Sequence, residues 1–358
     1  MNTHETYMHR CLQLAALARG NTAPNPVVGS VLVYDGRIIG EGYHQQYGKA
    51  HAEANCIASV REEDRHLISG STLYVSLEPC AHFGKTPPCA ALIVDNKIQR
   101  VVVGCRDPFS QVNGKGIAQM QAAGIEVIVG ILEERCRELN NRFFTCHTQH
   151  RPFVLLKWAQ TADNRMAGND SSPLKISNEF TNRLVHRWRS EEMAIVVGTN
   201  TAMNDDPQLN TRLWPGKNPV RIVADMGLRL PASLRVFDGS APTVVFNSHR
   251  HTLPFEKLAS HELKGVQYYQ VTEDASLPHQ MLNGLYGLGI QSVLVEGGAQ
   301  LLQSFIDEGL WDEARVITNS QLVIGNGLPA PRLLNADPVK TETVFADVIR
   351  FYVNAVDP

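Results

Sequence analysis

Four residues constrain this chain more than anything else in it: His51, Glu53, Cys80 and Cys89. They stand as His51-Ala52-Glu53, then Pro79-Cys80, then Cys89 after eight intervening residues. One imidazole and two thiolates are the donors of a zinc site that keeps its fourth position open for water. For them to share one ion, the segments that carry them must meet. His51–Val60 reads as a helix, Thr72–Leu77 as a strand leading into Glu78-Pro79-Cys80, and Pro88–Asp95 as a second helix.

Zinc bound by three ligands brings the pKa of its water towards neutrality and so produces a hydroxide nucleophile. A ring carbon attacked by hydroxide must then lose ammonia, which requires a proton carrier. A carboxylate two residues from the ligating histidine can move that proton without binding the metal. The His-x-Glu and Pro-Cys arrangement is the signature of zinc nucleobase deaminases. A structural zinc site would require a fourth protein ligand, and His44, His82 and Cys105 lack ligand-like spacing. Cys11, Cys56, Cys105, Cys136 and Cys146 read as core thiols.

At 358 residues the chain predicts two domains. Every cysteine lies at or before Cys146 and every tryptophan (Trp158, Trp188, Trp214, Trp311) after it. The polar stretch Thr145–Arg151, ending at Pro152, places the boundary between residues 148 and 149. A net charge of -3 and a pI near 6.5 leave no basic footprint for nucleic acid. No run approaches the length of a membrane span, and Met1–Arg10 has no apolar signal core. The expectation is a cytoplasmic protein with neither nucleic acid nor membrane as partner, its thiols reduced.

The first half reads as a helix over residues 3–19, a hairpin Val27–Tyr34 and Arg37–Tyr43 about Asp35-Gly36, then alternating helices and strands. This predicts a mixed sheet with helices on both faces. The second half alternates again. Strands are expected at Phe153–Ala159, Met193–Val197, Val220–Ala224, Thr243–Phe246 and Ser292–Val295, with short ones near 314–324 and 345–353. Helices are expected at Asn178–Ser190, Ala275–Tyr286 and Ala299–Asp307, giving a second α/β domain with its own core.

The eight-residue insert Ala81-His82-Phe83-Gly84-Lys85-Thr86-Pro87-Pro88 resembles that of the bifunctional deaminase–reductases of riboflavin biosynthesis. So do Pro24-Asn25-Pro26-Val27-Val28-Gly29, Gly40-Glu41-Gly42-Tyr43-His44, Asp107-Pro108 and Asn113-Gly114-Lys115-Gly116. The resemblance covers essentially the whole chain. It implies a cytidine-deaminase-like domain over 1–148 and a dihydrofolate-reductase-like, NADPH-dependent domain over 149–358. The implied substrate is a diaminopyrimidinone ribosylamino 5′-phosphate. Its ring amino group would be hydrolysed with one zinc ion per chain, and its ribosyl group then reduced to ribityl. A homo-oligomer, dimer or tetramer, is implied as well. Asn25, which offers a donor and an acceptor, joins His44, His82 and Lys85 as expected contacts to the deaminase substrate.

In the second half, Val293-Leu294-Val295-Glu296-Gly297-Gly298-Ala299 is a strand entering a Gly-Gly turn and a helix, whose free N–H groups suit a phosphate. It is not the Gly-x-Gly-x-x-Gly dinucleotide fingerprint. By the same resemblance, Ala159, Lys175, Thr201, Asp205 and the run Gly298, Ala299, Gln300, Leu301, Leu302, Gln303, Ser304 would meet NADPH. Lys157, Arg189, Leu209, Arg212 and Glu296 would meet the substrate, the arginines suiting its phosphate. Asn164 and Lys175 depart from the family, which usually has glycine and tryptophan there. Two other readings compete: a zinc deaminase acting on a base in RNA with a C-terminal binding module, and a structural zinc protein with a nucleotide-sensing domain. The first calls for a basic surface with interleaved aromatics, and the second for loss of Glu53.

Overall fold

The computed structural model describes residues 3–82, 87–168, 174–254, 260–334 and 336–354. The chain divides into two compact units, Met1–Gln149 and His150–Pro358. Among the described residues no helix is long and apolar enough to cross a membrane.

In the first unit α1 (Thr3–Ala16) precedes a hairpin, β1 (Gly29–Tyr34) and β2 (Arg37–Tyr43). There follow α2 (Ala52–Ala58), β3 (Thr72–Leu77), α3 (Cys89–Asp95), β4 (Arg100–Cys105), α4 (Lys115–Ala122), β5 (Glu126–Val129), α5 (Glu133–Leu139) and α6 (Asn141–Gln149). The sheet order is β2-β1-β3-β4-β5, antiparallel through β2, β1 and β3 and parallel from β3 to β5.

Alternation along β1 sends Val31 and Val33 to one face and Leu32 to the other. Met8 and Leu12 of α1, with Phe143 and Phe144 of α6, cover the first face. Cys56 of α2, Ile93 of α3 and Met120 of α4 cover the second. The first helix stops at Ala16 and does not reach residue 19 as expected. The amides of Leu17, Ala18 and Arg19 each bond three residues back, so the last turn tightens out of the α-helical pattern.

The second unit opens with β6 (Phe153–Thr161), β7 (Arg165–Gly168), α7 (Glu179–Glu191), β8 (Ala194–Gly198), α8 (Thr199–Asp205) and β9 (Val220–Ala224). It continues with β10 (Thr243–Asn247), β11 (Val266–Gln270), α9 (Leu277–Gly287), β12 (Ser292–Glu296), α10 (Ala299–Asp307), β13 (Glu313–Asn319), β14 (Gly327–Pro329), β15 (Lys340–Val344) and β16 (Asp347–Val353). The sheet order is β11-β10-β9-β8-β12-β6-β13-β16-β15. It is parallel from β11 to β13, and the β16–β15 hairpin closes it antiparallel.

β12 lies between β8 and β6, so strands far apart in sequence end side by side, which is where α/β sheets bind ligands. Helix α7 starts because the Asn178 side chain accepts from Phe180 N and Thr181 N, each at 3.0 Å. The sequence did not announce β7, β11, β14 or α8. β7 and β14 pair only with each other, β11 is a half-buried edge strand, and α8 is a polar seven-residue segment.

Candidate functional site

The first unit gathers its chemistry where β3 ends and α2 and α3 begin. His51 is the extended N-cap of α2, and Cys89 opens α3. Helix α2 sits hard against β2: a Cβ on Gly42 would lie 2.2 Å from Cys56 N and 2.6 Å from Ala52 O, so only glycine lets the helix approach. His51 Nδ1 stands 3.6 Å from Cys80 Sγ and 3.4 Å from Cys89 Sγ. The three ligand atoms lie within 4.8 Å of one another, the only such cluster among the described residues. One nitrogen and two sulfurs at this spacing fit a tetrahedral zinc with an open position.

Hydrogen bonding from Cys89, and then from His51, draws the Cys80 thiol well below its usual range, so Cys80 is the ready thiolate. Its contact with Cys80 raises the His51 imidazole against the opposing effect of burial. Glu53 is 3 % exposed and outside the ligand cluster. Burial, reinforced by Cys80, pushes its carboxyl up to about 7, the range of a group that exchanges protons at neutral pH.

His44 is buried, and burial lowers its pKa, which keeps the ring neutral. Its Nδ1 meets Ala50 O at 3.0 Å and its Nε2 meets Asn25 Nδ2 at 3.2 Å. If Nδ1 donates to the carbonyl, Nε2 accepts from the Asn25 amide, whose oxygen then remains as an acceptor. His82 has a buried Nδ1 with no partner and stands edge-on to Phe109, ring centroids 6.0 Å apart. Lys85 lies outside the described residues.

Two carboxylates here were not among the expected site residues, although Asp107-Pro108 had carried part of the resemblance. Glu78, two residues before Cys80, is 4 % exposed. Its Oε2 accepts from Gly114 N at 2.9 Å and Asp107 N at 3.3 Å, and its Oε1 from Gly116 N at 3.0 Å and Ile117 N at 3.2 Å. Four backbone donors satisfy it in place of a cation. Asp107, clamped in that loop, is pushed up to about 7 by burial, with Glu78 adding to the effect.

The second unit builds a cavity of about 310 Å³. Lys157, Ala159, Lys175, Arg189, Thr201, Asp205, Leu209 and Glu296 all line it, together with Gly297. Trp158, Met166, Ser177 and Asn182 also line it, although nothing in the sequence had pointed to them. At its base, Lys157 Nζ is 3.3 Å from Glu296 Oε1, and Arg189 donates through Nε and Nη2 to Glu296 Oε2. Burial works to raise the Glu296 carboxyl, but Arg189 and then Lys157 outweigh it and hold it at about 2. Asp205 is raised by burial alone.

Thr201 crowds the Gly297–Gly298 turn: a Cβ on Gly297 would lie 2.8 Å from Thr201 Cγ2, and both glycines have positive φ. Beyond that turn the run 298–304 divides. Leu301 and Leu302 turn their side chains into the core, and Leu302 N bonds Gly298 O. Gln303 binds Asp307 and the Arg332 backbone, and Ser304 Oγ bonds Leu301 O. Gln300 is exposed, and Ala299 is half-buried at the first turn. What this run can offer a phosphate is therefore the free backbone N–H groups of that turn. Arg212, expected to meet the substrate, is not among the residues that line the cavity; its Nη1 donates to Asn210 Oδ1 at 3.0 Å.

Residues 1–105 match the cytidine and deoxycytidylate deaminase zinc-binding region, and residues 152–347 match the RibD C-terminal domain. Fold and site thus define a two-part enzyme, a zinc-binding deaminase followed by a reductase of the NADPH-dependent type. RibD of Aquifex aeolicus is 40% identical, the match spanning 97% of this chain and 98% of the relative. RibD of Bacillus amyloliquefaciens is 37% identical, over 93% and 88%. A solved diaminohydroxyphosphoribosylaminopyrimidine deaminase/5-amino-6-(5-phosphoribosylamino)uracil reductase from Thermotoga maritima superposes with a TM-score of 0.86 at 35% identity, covering 99% of both chains. Acinetobacter baumannii RibD superposes with a TM-score of 0.87 at 30% identity, covering 98% of both. The chain belongs to the RibD family of bifunctional riboflavin biosynthesis enzymes. A match running the length of both halves does not favour the RNA-deaminase reading.

Proposed function

We propose that this chain deaminates 2,5-diamino-6-(5-phospho-ribosylamino)pyrimidin-4(3H)-one and then reduces the ribosyl group, yielding 5-amino-6-(5-phospho-ribitylamino)uracil. The observation that carries the proposal is the pairing, in one chain, of the His51/Cys80/Cys89 cluster beside a buried Glu53 with a cavity floored by Lys157, Arg189 and Glu296. In the deaminase, His51, Cys80 and Cys89 hold zinc, which activates water when bound. Glu53 takes a proton from that water at a carboxylate oxygen and delivers it to the ring nitrogen; it then takes the proton of the hydroxyl added to the ring carbon and passes it to the amine, which leaves as ammonia as the C–N bond breaks and the carbonyl forms. Asn25, its donor committed to His44, takes an N–H of the ring through its oxygen, and His82 and Lys85 meet the polar and phosphate groups.

In the reductase, NADPH when bound would supply hydride to C1′, the bond from C1′ to the ring oxygen opening and that oxygen taking a proton from water. Ala159, Lys175, Thr201, Asp205 and the start of the 298–304 run hold the cofactor. Lys157, Arg189, Leu209, Arg212 and Glu296 orient the sugar phosphate. The functional boundary is set at 148/149, and the setting is the cytoplasm. A homo-oligomer is also part of the reading, supported by the exposed Phe180 and Phe345, in tilted contact with ring centroids 5.0 Å apart, and by Val339 at 68% exposed.

A coupled assay tests it. The purified chain with the diaminopyrimidinone phosphate and NADPH should release ammonia and consume NADPH. Ammonia without NADPH loss refutes the reductase half, and neither product refutes the whole.

A further inference from the structure

The cavity of the second unit has two walls of opposite character. Residues alternate along β6, so Lys157 turns to the charged side with Arg189 and Glu296, while Trp158 turns with Leu156 to the other face of the sheet. Trp158 is 3 % exposed, packs with Met166, and is the one aromatic side chain among the described residues that line the cavity. A buried indole N–H needs an acceptor, and it can only donate. Here Trp158 Nε1 donates to Gln160 Oε1 at 2.8 Å, two residues on along the same face. That contact decides the next one. With its oxygen committed to the indole, Gln160 turns its Nε2 away, and this donates to Asn164 Oδ1 at 2.8 Å. Asn164 stands where the family usually has glycine, at a φ of 59°. Asparagine is among the few L-residues that take this left-handed conformation readily, and unlike glycine it brings an acceptor. Its backbone is fixed as well: Asn164 N bonds Thr161 O and Ala330 N bonds Asn164 O, each at 3.0 Å. The line Trp158–Gln160–Asn164 thus ends on a pinned turn.

We infer that Gln160 is a positioning residue of the reductase: anchored by Asn164, it holds the Trp158 indole as the flat apolar wall against which the nicotinamide ring of NADPH lies. This depends on reading the second unit as an NADPH-dependent reductase. The two walls suit different parts of the reaction. A sugar phosphate calls for the cations Lys157 and Arg189, whereas an uncharged dihydronicotinamide ring calls for an apolar surface that keeps water away. Lys157 pairs with Glu296 across β6 and β12, so Trp158 is the next residue along beside the Gly297 turn. Thr201, expected to meet the cofactor, crowds that same turn. The indole wall therefore stands among the residues assigned to NADPH. Without an acceptor on Gln160, the indole N–H would be buried and unpaired, and the ring would gain by turning towards another acceptor or water. The wall would then lose its orientation while the cations kept theirs.

The test measures NADPH binding to the full-length chain, by energy transfer from tryptophan to the cofactor, together with reductase kinetics. Trp158→Phe identifies the part of the signal that belongs to this indole. Gln160→Leu should raise Kd and KM for NADPH by about five- to tenfold, the effect of one lost hydrogen bond, and should alter the near-ultraviolet circular dichroism of Trp158. KM for the sugar phosphate should stay as it is. Gln160→Glu, which still accepts from the indole, should return Kd to within about threefold of the unaltered chain. Asn164→Gly should act in the same direction but more weakly, by about two- to threefold. Because Asn164 acts only through Gln160, combining Asn164→Gly with Gln160→Leu should be no worse than Gln160→Leu alone. If Gln160→Leu fails to fold, Gln160→Met carries the same expectation. An unchanged Kd, additive losses in the double variant, or an equal rise in KM for both substrates overturns the inference. An unaltered chain that does not bind NADPH overturns instead the reductase reading, and this inference with it.

Discussion

Glu78 accepts the backbone N–H of Gly116 at 3.0 Å, and so fastens a loop thirty-odd residues downstream to the strand end that carries Cys80. The contact has no slack: a Cβ on Gly116 would lie 1.9 Å from Pro79 O. Glu78→Gln puts an NH2 group against backbone donors that need an acceptor. It should destabilise the first unit by about 2–4 kcal/mol, read as a lowered urea midpoint. Zinc content per folded chain should fall with it. An unchanged midpoint would remove Glu78 as the organiser of this loop.

Glu53→Gln keeps the shape of the side chain and removes its base. Ammonia release should drop by at least about 100-fold while elemental analysis still finds zinc. Loss of zinc instead would recast Glu53 as a ligand.

Removing a ligand should behave differently. Cys89→Ser should leave the chain nearly free of zinc and inactive as a deaminase, with NADPH oxidation of the deaminated intermediate retained. Excess zinc should raise the melting point of the first unit in the unaltered chain only. At a hundredfold excess over Kd the gain is about 2.7 kcal/mol. Equal zinc occupancy in both chains counts against the three-ligand site.

The Glu296 carboxyl ordinarily titrates at 4.5 and is held at about 2 in the folded chain. A carboxyl lowered by folding stabilises fully above its unfolded pKa and loses that contribution as pH falls towards the folded one. The second unit should therefore weaken between about pH 4.5 and pH 2, by on the order of 3 kcal/mol from this group. Arg189→Met strips the main partner from a buried charge and should cost about 3–5 kcal/mol at neutral pH, with a shallower acid dependence. Denaturant melts across this pH range would show either a sloping or a flat profile.

What the sequence disclosed follows from where each interaction is written. His51, Glu53, Cys80 and Cys89 were legible because metal and proton chemistry restrict both residue type and spacing. Strands β2, β3 and β9 were legible to the residue because their apolar runs end at turn signals. Glu78 was not, since its partners are backbone amides, which any residue supplies. Trp158, Met166 and Asn182 were hidden for another reason. Only the order β8-β12-β6 brings their segments to one cavity, and strand order is not a local property. Leu301 and Leu302 fell inside a cofactor stretch by position, but the helical period turns them to the core.

Five of the seven sulfurs lie sealed in cores away from the metal ligands, and Cys89 is buried too, which leaves Cys80 alone partly open to solvent. An alkylating reagent added to the folded chain therefore meets a single thiol within reach, and it is one that zinc covers. The rate of labelling at Cys80 becomes a gauge of metallation that needs neither substrate nor cofactor. A sample half loaded with metal would announce itself as a half-reacted mass spectrum.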